Sequence, residues 1–144
     1  MKIHQLSLFL ENKPGQLRIP CAALAKAGIN IVTLSLADTK QFGILRLIVQ
    51  DWQKAKAVLE QAGCIVNVAE VLAVQVADQP GGLAKILEVV DKAGANIEYM
   101  YAFTEKLGGK AVLVFRFTDP DKAIAALQVA QQNVLGSVAL FQQT

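Results

Sequence analysis

The chain has 144 residues, of which 53% are hydrophobic, with a mean hydropathy of +0.38 and a formal net charge of +2. So small a charge, with Lys and Arg scattered along the chain, excludes the electrostatic footprint of a nucleic-acid binder. The longest apolar stretches, such as Ala111–Phe115, fall far short of the ~20 residues a membrane-spanning helix needs.

The first residues, Met1-Lys2-Ile3-His4-Gln5-Leu6, enter an alternating pattern at once, without the apolar core and cleavage site of a secretory signal. A cytoplasmic location is expected. Leu6, Leu8 and Leu10 alternate with Ser7, Phe9 and Glu11, the period-two signature of a strand with one buried face. Next, Leu17, Cys21, Leu24 and Gly28 fall on one helical stripe. Pro14 is expected in the first turn of that helix and Gly28 as its left-handed C-cap. Residues 31–36 and 44–49 read as strands around a turn at 38–43. A second helix carries Ala55, Val58, Leu59 and Ala62, and a closing strand spans about 64–68.

The remainder repeats this order. Lys13-Pro14-Gly15-Gln16-Leu17 returns as Gln79-Pro80-Gly81-Gly82-Leu83, 66 positions later, and Lys26–Ile31 returns as Lys92–Ile97. Leu72, Val74 and Val76 match the first strand, Leu83, Leu87, Val90 and Gly94 the first helix. Two extra turn residues then move the second helix to an offset of 68, with Ala123, Ala126, Leu127 and Ala130 on its stripe. Strands are expected at 97–103, 111–117 and 134–140. Each half is therefore strand, helix, strand, strand, helix, strand. The fold class is α+β: two ferredoxin-like βαββαβ modules in tandem, residues 1–68 and 69–144, each an antiparallel four-stranded sheet with helices on one face. No Gly, Pro or Ser cluster separates them at Val68-Ala69-Glu70-Val71, so rigid apposition is expected. The apolar content exceeds what a lone module of half this length can hide, which also points to a homodimer.

Chemistry is expected in the loop from the first strand into the first helix. A helix N-terminus presents unpaired N–H groups and the positive end of the macrodipole, where a carboxylate is welcome. Gly15, Gly81 and Gly82 would let a ligand approach the backbone, and the Asn12 amide offers donors and an acceptor for either end of a zwitterion. The bland alternative is a helix start that Asn12 caps.

The run Phe9-Leu10-Glu11-Asn12-Lys13-Pro14-Gly15-Gln16-Leu17, followed by Ala27-Gly28-Ile29-Asn30-Ile31, resembles the ACT domain, in particular the regulatory domain of bacterial phosphoglycerate dehydrogenase. The resemblance implies a regulatory, allosteric protein that binds an amino acid where two modules pair. It places Asn12 and Asn30 as side-chain contacts, Pro14 in the turn, and Gly15, Gln16 and Leu17 as amide donors. In the second copy Asp78 replaces the Asn, leaving Gly81, Gly82, Leu83 and Asn96. Tyr99 and Tyr101, where the first copy has Thr33 and Ser35, would lie near a ligand or simply pack on the strand. An anionic Asp78 would attract an ammonium and repel a carboxylate, so the two sites should differ. The output would pass in trans to a biosynthetic enzyme or regulator, or be ligand sequestration.

Other chemistries find little support. His4 and Ser7 lie on opposite faces of one strand, and no nucleophile elbow or phosphate loop occurs; an enzyme is not expected. Cys21 and Cys64 stand 43 positions apart with no Cys or His nearby, reading as reduced, packed thiols, so no metal and no cofactor are expected. Gly109–Phe117 faintly echoes an RNA-recognition strand but lacks its early aromatics. A ligand-independent protein-interaction module remains an open alternative.

Overall fold

A computed structural model describes residues 1–38 and 40–142. It divides into two compact units, His4–Ala69, and Glu70–Thr144 together with Met1–Ile3. The first unit holds β1 (Ile3–Glu11), α1 (Arg18–Lys26), β2 (Thr33–Asp38), β3 (Phe42–Ile48) and α2 (Trp52–Gln61), ending on the first residues of β4 (Val66–Val76). Its strands run in the order β2-β3-β1, with β4 beyond β1. Both hairpin partners are antiparallel, Leu8 facing Leu45 and Leu36 facing Leu45 from the other side. The second unit continues β4 with α3 (Gly82–Lys92), β5 (Ile97–Ala102), β6 (Ala111–Phe117), α4 (Pro120–Val129), β7 (Val134–Leu135) and α5 (Ser137–Phe141). Its order is β5-β6-β4-β7. The fold is thus the expected α+β pair of ferredoxin-like modules.

The alternating leucines do what the period-two pattern requires. Leu6, Leu8 and Leu10 pack with Leu24, Leu45, Leu47, Ala55 and Leu59 in the first core. Leu72, Val74 and Val76 pack with Ile86, Val90, Phe115, Phe117 and Leu127 in the second. Phe115 and Phe117 are fully buried, which removes them from any base-stacking role. The half-buried Cys64 packs on the first core, and burial pushes its thiol above the usual range.

Both first helices end as expected. Gly28 and Gly94 take φ of +72° and +69°, and the six-to-one bonds Ile29 N–H to Leu24 O (2.9 Å) and Ala95 N–H to Val90 O (3.1 Å) close Schellman motifs. The second helices end the same way: Gly63 takes φ of +88°, but its counterpart Gln131 is forced to +58°. A β-carbon disfavours that region, so Gln131→Gly is expected to raise stability by about 0.5–1 kcal/mol. Urea unfolding checks it; an unchanged or lower midpoint would show that the Gln131 side chain compensates.

Three expectations are corrected. Pro14 is not in the first helical turn, because α1 starts only at Arg18. Pro20 is the reason: it lacks an N–H and is tolerated only among the first donors of a helix, which keeps the start close to it. Its counterpart Ile86 has an N–H, so α3 begins earlier, at Gly82, with Pro80 just outside. As a result the buried stripes run through Pro20 and Leu24, and Ile86 and Val90, leaving Leu17 and Leu83 exposed. The closing strand of the first copy and the opening strand of the second are one strand, β4. Finally, the strand expected at 134–140 stops at Leu135; Gly136 is the N-cap of α5, which buries Leu140.

The first three residues pack on the second unit. Lys2 Nζ lies 2.9 Å from Asp121 and 3.9 Å from Glu70, and the hydrogen bond to Asp121 raises the ammonium pKa above its ordinary value. That small contribution is present below the unfolded-state value of about 10.5 and is lost as pH rises through the folded one.

Candidate functional site

The loop between β1 and α1 encloses a cavity of about 90 Å³ lined by Leu10, Asn12, Gln16, Leu17, Leu36 and Asp38. Gly15 adopts φ of +87°, and a Cβ there would meet nothing within 4 Å. Asn12 is exposed, and its Nδ2 donates to Lys40 O at 3.4 Å while its backbone N–H donates to Gln41 O at 2.8 Å. The loop is therefore tied to the β2–β3 turn and not to the helix. Asn12 caps nothing: the N-cap of α1 is Leu17, without a side-chain bond. Of the amides expected to serve a ligand, that of Gln16 already donates to Lys13 O at 3.4 Å. Asn30 is exposed beyond the C-cap of α1 and does not line this cavity.

The second unit is built differently at the same place. Asp78, counterpart of Asn12, forms an ion pair with Lys106, which stands 66 positions after Lys40. The same latch between loop and turn thus uses two side chains in one copy and a backbone carbonyl in the other. With Lys106 beside it, Asp78 no longer presents a bare negative charge. Gly81 at φ of +85° has open space around its missing Cβ, as Gly15 has. Gly82 differs: a Cβ there would sit 2.0 Å from Ala77 O, so its room is filled by the chain itself.

Gly81 and Gly82 line a partly enclosed cavity of about 260 Å³ with Gln75, Lys85, Lys110 and Asn133. Leu83, Asn96, Tyr99 and Tyr101 are elsewhere. Asn96 donates from Nδ2 to Thr118 Oγ1 at 3.1 Å and lies in a shallow groove of about 610 Å³ with Leu87 and Ile97. Tyr99 and Tyr101 stand on β5 opposite Arg116 and Val114, half-buried, on the face away from the core-packed Met100.

Sequence reading passed over Lys85, Lys110, Gln75 and Asn133. Aligning the copies would have found them: the counterparts are Ile19, Phe42, Phe9 and Ile65 at the same two offsets. Four apolar residues become four polar ones at one corner of the module. Among the described residues no cluster of His, Cys, Asp or Glu could hold a metal, and no helix is long and apolar enough to cross a membrane.

A family model described as an ACT domain pair matches residues 1–139. No curated protein matches the chain. Among solved structures, protein BT0572 from Bacteroides thetaiotaomicron is 38% identical with a TM-score of 0.91, over 98% of this chain and 96% of that one. The ligand-free regulatory subunit of aspartate kinase from Thermus thermophilus shares the fold at 22% identity and a TM-score of 0.63, over 96% and 90% of the two chains. Its Thermus flavus counterpart is similar at 21% and 0.63, over 99% and 93%.

Proposed function

The chain belongs to the ACT domain pair family, and from that premise we propose that it is a non-catalytic regulatory protein whose two modules, residues 1–68 and 69–144, bind a small amino acid at the Pro-Gly turns. One observation carries this reading: the cavity lined by Asn12, Gln16 and Leu17, beside a Gly15 whose missing Cβ leaves the backbone open. Its volume is that of about three water molecules, enough for the head group of an amino acid. Asn12 holds the carboxylate or ammonium, Pro14 shapes the turn, and Asn30, in the loop just ahead of β2 of an ACT module paired with it, completes the pocket.

The second site uses Gly81, Gly82 and Leu83 with Asn96, Tyr99 and Tyr101, and is the weaker of the two. Asp78 is already engaged by Lys106, so a ligand ammonium would have to displace that cation. The protein acts in the cytoplasm as a homodimer and passes its signal to a biosynthetic enzyme or regulator. The fold shared with regulatory subunits of aspartate kinase is in keeping with such a role.

Differential scanning fluorimetry against the twenty amino acids tests it. A ligand at ~100 times its Kd stabilises by about 2.7 kcal/mol, a clear rise in Tm. Asn12→Ala is expected to weaken binding about tenfold, the worth of one hydrogen bond to a charged group, with an unchanged circular dichroism spectrum. No shift with any amino acid at millimolar concentration would leave the ligand-independent interaction module as the better reading.

A further inference from the structure

We propose that the cavity walled by Gln75, Gly81, Gly82, Lys85, Lys110 and Asn133 in the second unit is a binding site for a small phosphomonoester, separate from the amino-acid site at Asn12 and sharing Gly81 and Gly82 with the weaker second one. Three observations converge. First, Lys85 and Lys110 both line it, no acidic residue does, and among the described residues neither lysine is in an ion pair. Two uncompensated cations facing one cavity favour a dianion, the charge of a phosphomonoester near neutral pH.

Second, the polar wall is already organised. Gln75 accepts from Asn133 Nδ2 and donates from Nε2 to Leu107 O at 3.1 Å, so both ends of its amide are held. Lys85 sits in the first turns of α3, and the Gly81–Gly82 wall is the positive end of that helix. Lysine meets phosphate as a compact point charge, and two of them line this cavity. The volume of about 260 Å³ equals roughly eight or nine water molecules, so a short carbon chain fits beside the phosphate.

Third, the duplication supplies an internal comparison. At the corresponding positions the first unit has Phe9, Ile19, Phe42 and Ile65, exposed by 51%, 46%, 48% and 70%. The second copy combines two cations with carboxamides around a partly enclosed space at that corner. This inference does not rest on amino-acid binding at Asn12, and either can fail without the other.

Isothermal titration of the full chain at low salt, with glycerol 3-phosphate, inorganic phosphate and succinate as probes, decides it. Glycerol 3-phosphate should bind saturably with a Kd at or below about 1 mM, inorganic phosphate more weakly, and succinate least. The exposed Lys85→Gln/Lys110→Gln pair should lower affinity about tenfold or more, the Lys85→Arg/Lys110→Arg pair should retain it, and Lys26→Gln and Asn12→Ala should leave it unchanged. Raising the salt concentration should weaken binding to the wild-type chain. No heat with either phosphate at about ten times that concentration, equal affinity for succinate, or affinity indifferent to the glutamine pair would each overturn the proposal.

Discussion

Phe115→Ala is expected to cost about 3–5 kcal/mol, the range found for removing a buried aromatic side chain. Phe115 is fully buried on β6, pairs across the sheet with Leu72, and stacks on Phe117 with ring centroids 5.6 Å apart. Truncation leaves a void bounded by both sheet and helices, and a packed core relaxes only partly into such a void. A unit of this size has a total stability of roughly 4–11 kcal/mol, so the variant would stand near the edge of unfolding. Urea denaturation followed by circular dichroism would show a lower midpoint. Val129→Ala, at a side chain 86% exposed, should stay within about 0.5 kcal/mol. A loss for Phe115→Ala below about 1 kcal/mol would contradict the packing described.

The second large effect is expected at Gly82. Alanine in place of glycine inside a helix ordinarily gains up to about 1 kcal/mol from backbone entropy. Here the sign should reverse. The added Cβ would lie 2.0 Å from Ala77 O and 3.3 Å from Val76 Cγ1, and the first obstacle is backbone, which cannot rotate away. The end of β4 or the start of α3 must shift, for a net loss of about 1–3 kcal/mol. Gly136→Ala is the matched control, with an ordinary φ of −80° and nothing within 4 Å of the new atom; it should be neutral or slightly stabilising. If the two variants melt together, the close approach at Ala77 is not a constraint on the loop.

The same glycine shows why the site was harder to read than the fold. In the sequence, Gly81-Gly82 looks like an invitation to a ligand, because both lack a side chain. In the structure Gly81 has the open space and Gly82 has none, since its room is occupied by the carbonyl of a residue five positions earlier. Whether a missing Cβ faces solvent or backbone depends on the path of the loop. Asn12 is a parallel case: the residue type suits an N-cap, yet Pro20 pushes the start of α1 far enough along for the Asn to bond with the β2–β3 turn. Pro20 was visible throughout, and the rule that proline needs a place among the first helical donors would have moved the helix start.

Hydrophobic period and helix capping are local properties, carried by residues within a few positions of one another, so the order of elements, the apolar faces of β1 and β4 and the Gly28 and Gly94 stops could be read directly from the chain. Tertiary context was needed wherever neighbours distant in sequence compete for a segment. Residues 137–141 have apolar content that suits a strand, but pairing with β4 ends at Leu135 and burial of Leu140 is achieved as a helix turn. Lys85, Lys110 and Asn133 come from α3, the turn just before β6 and the loop before β7, and Gln75 from β4. Only the folding of those four segments around one space makes a cavity of them, because the forces that define a binding site act through distance in space and not along the chain.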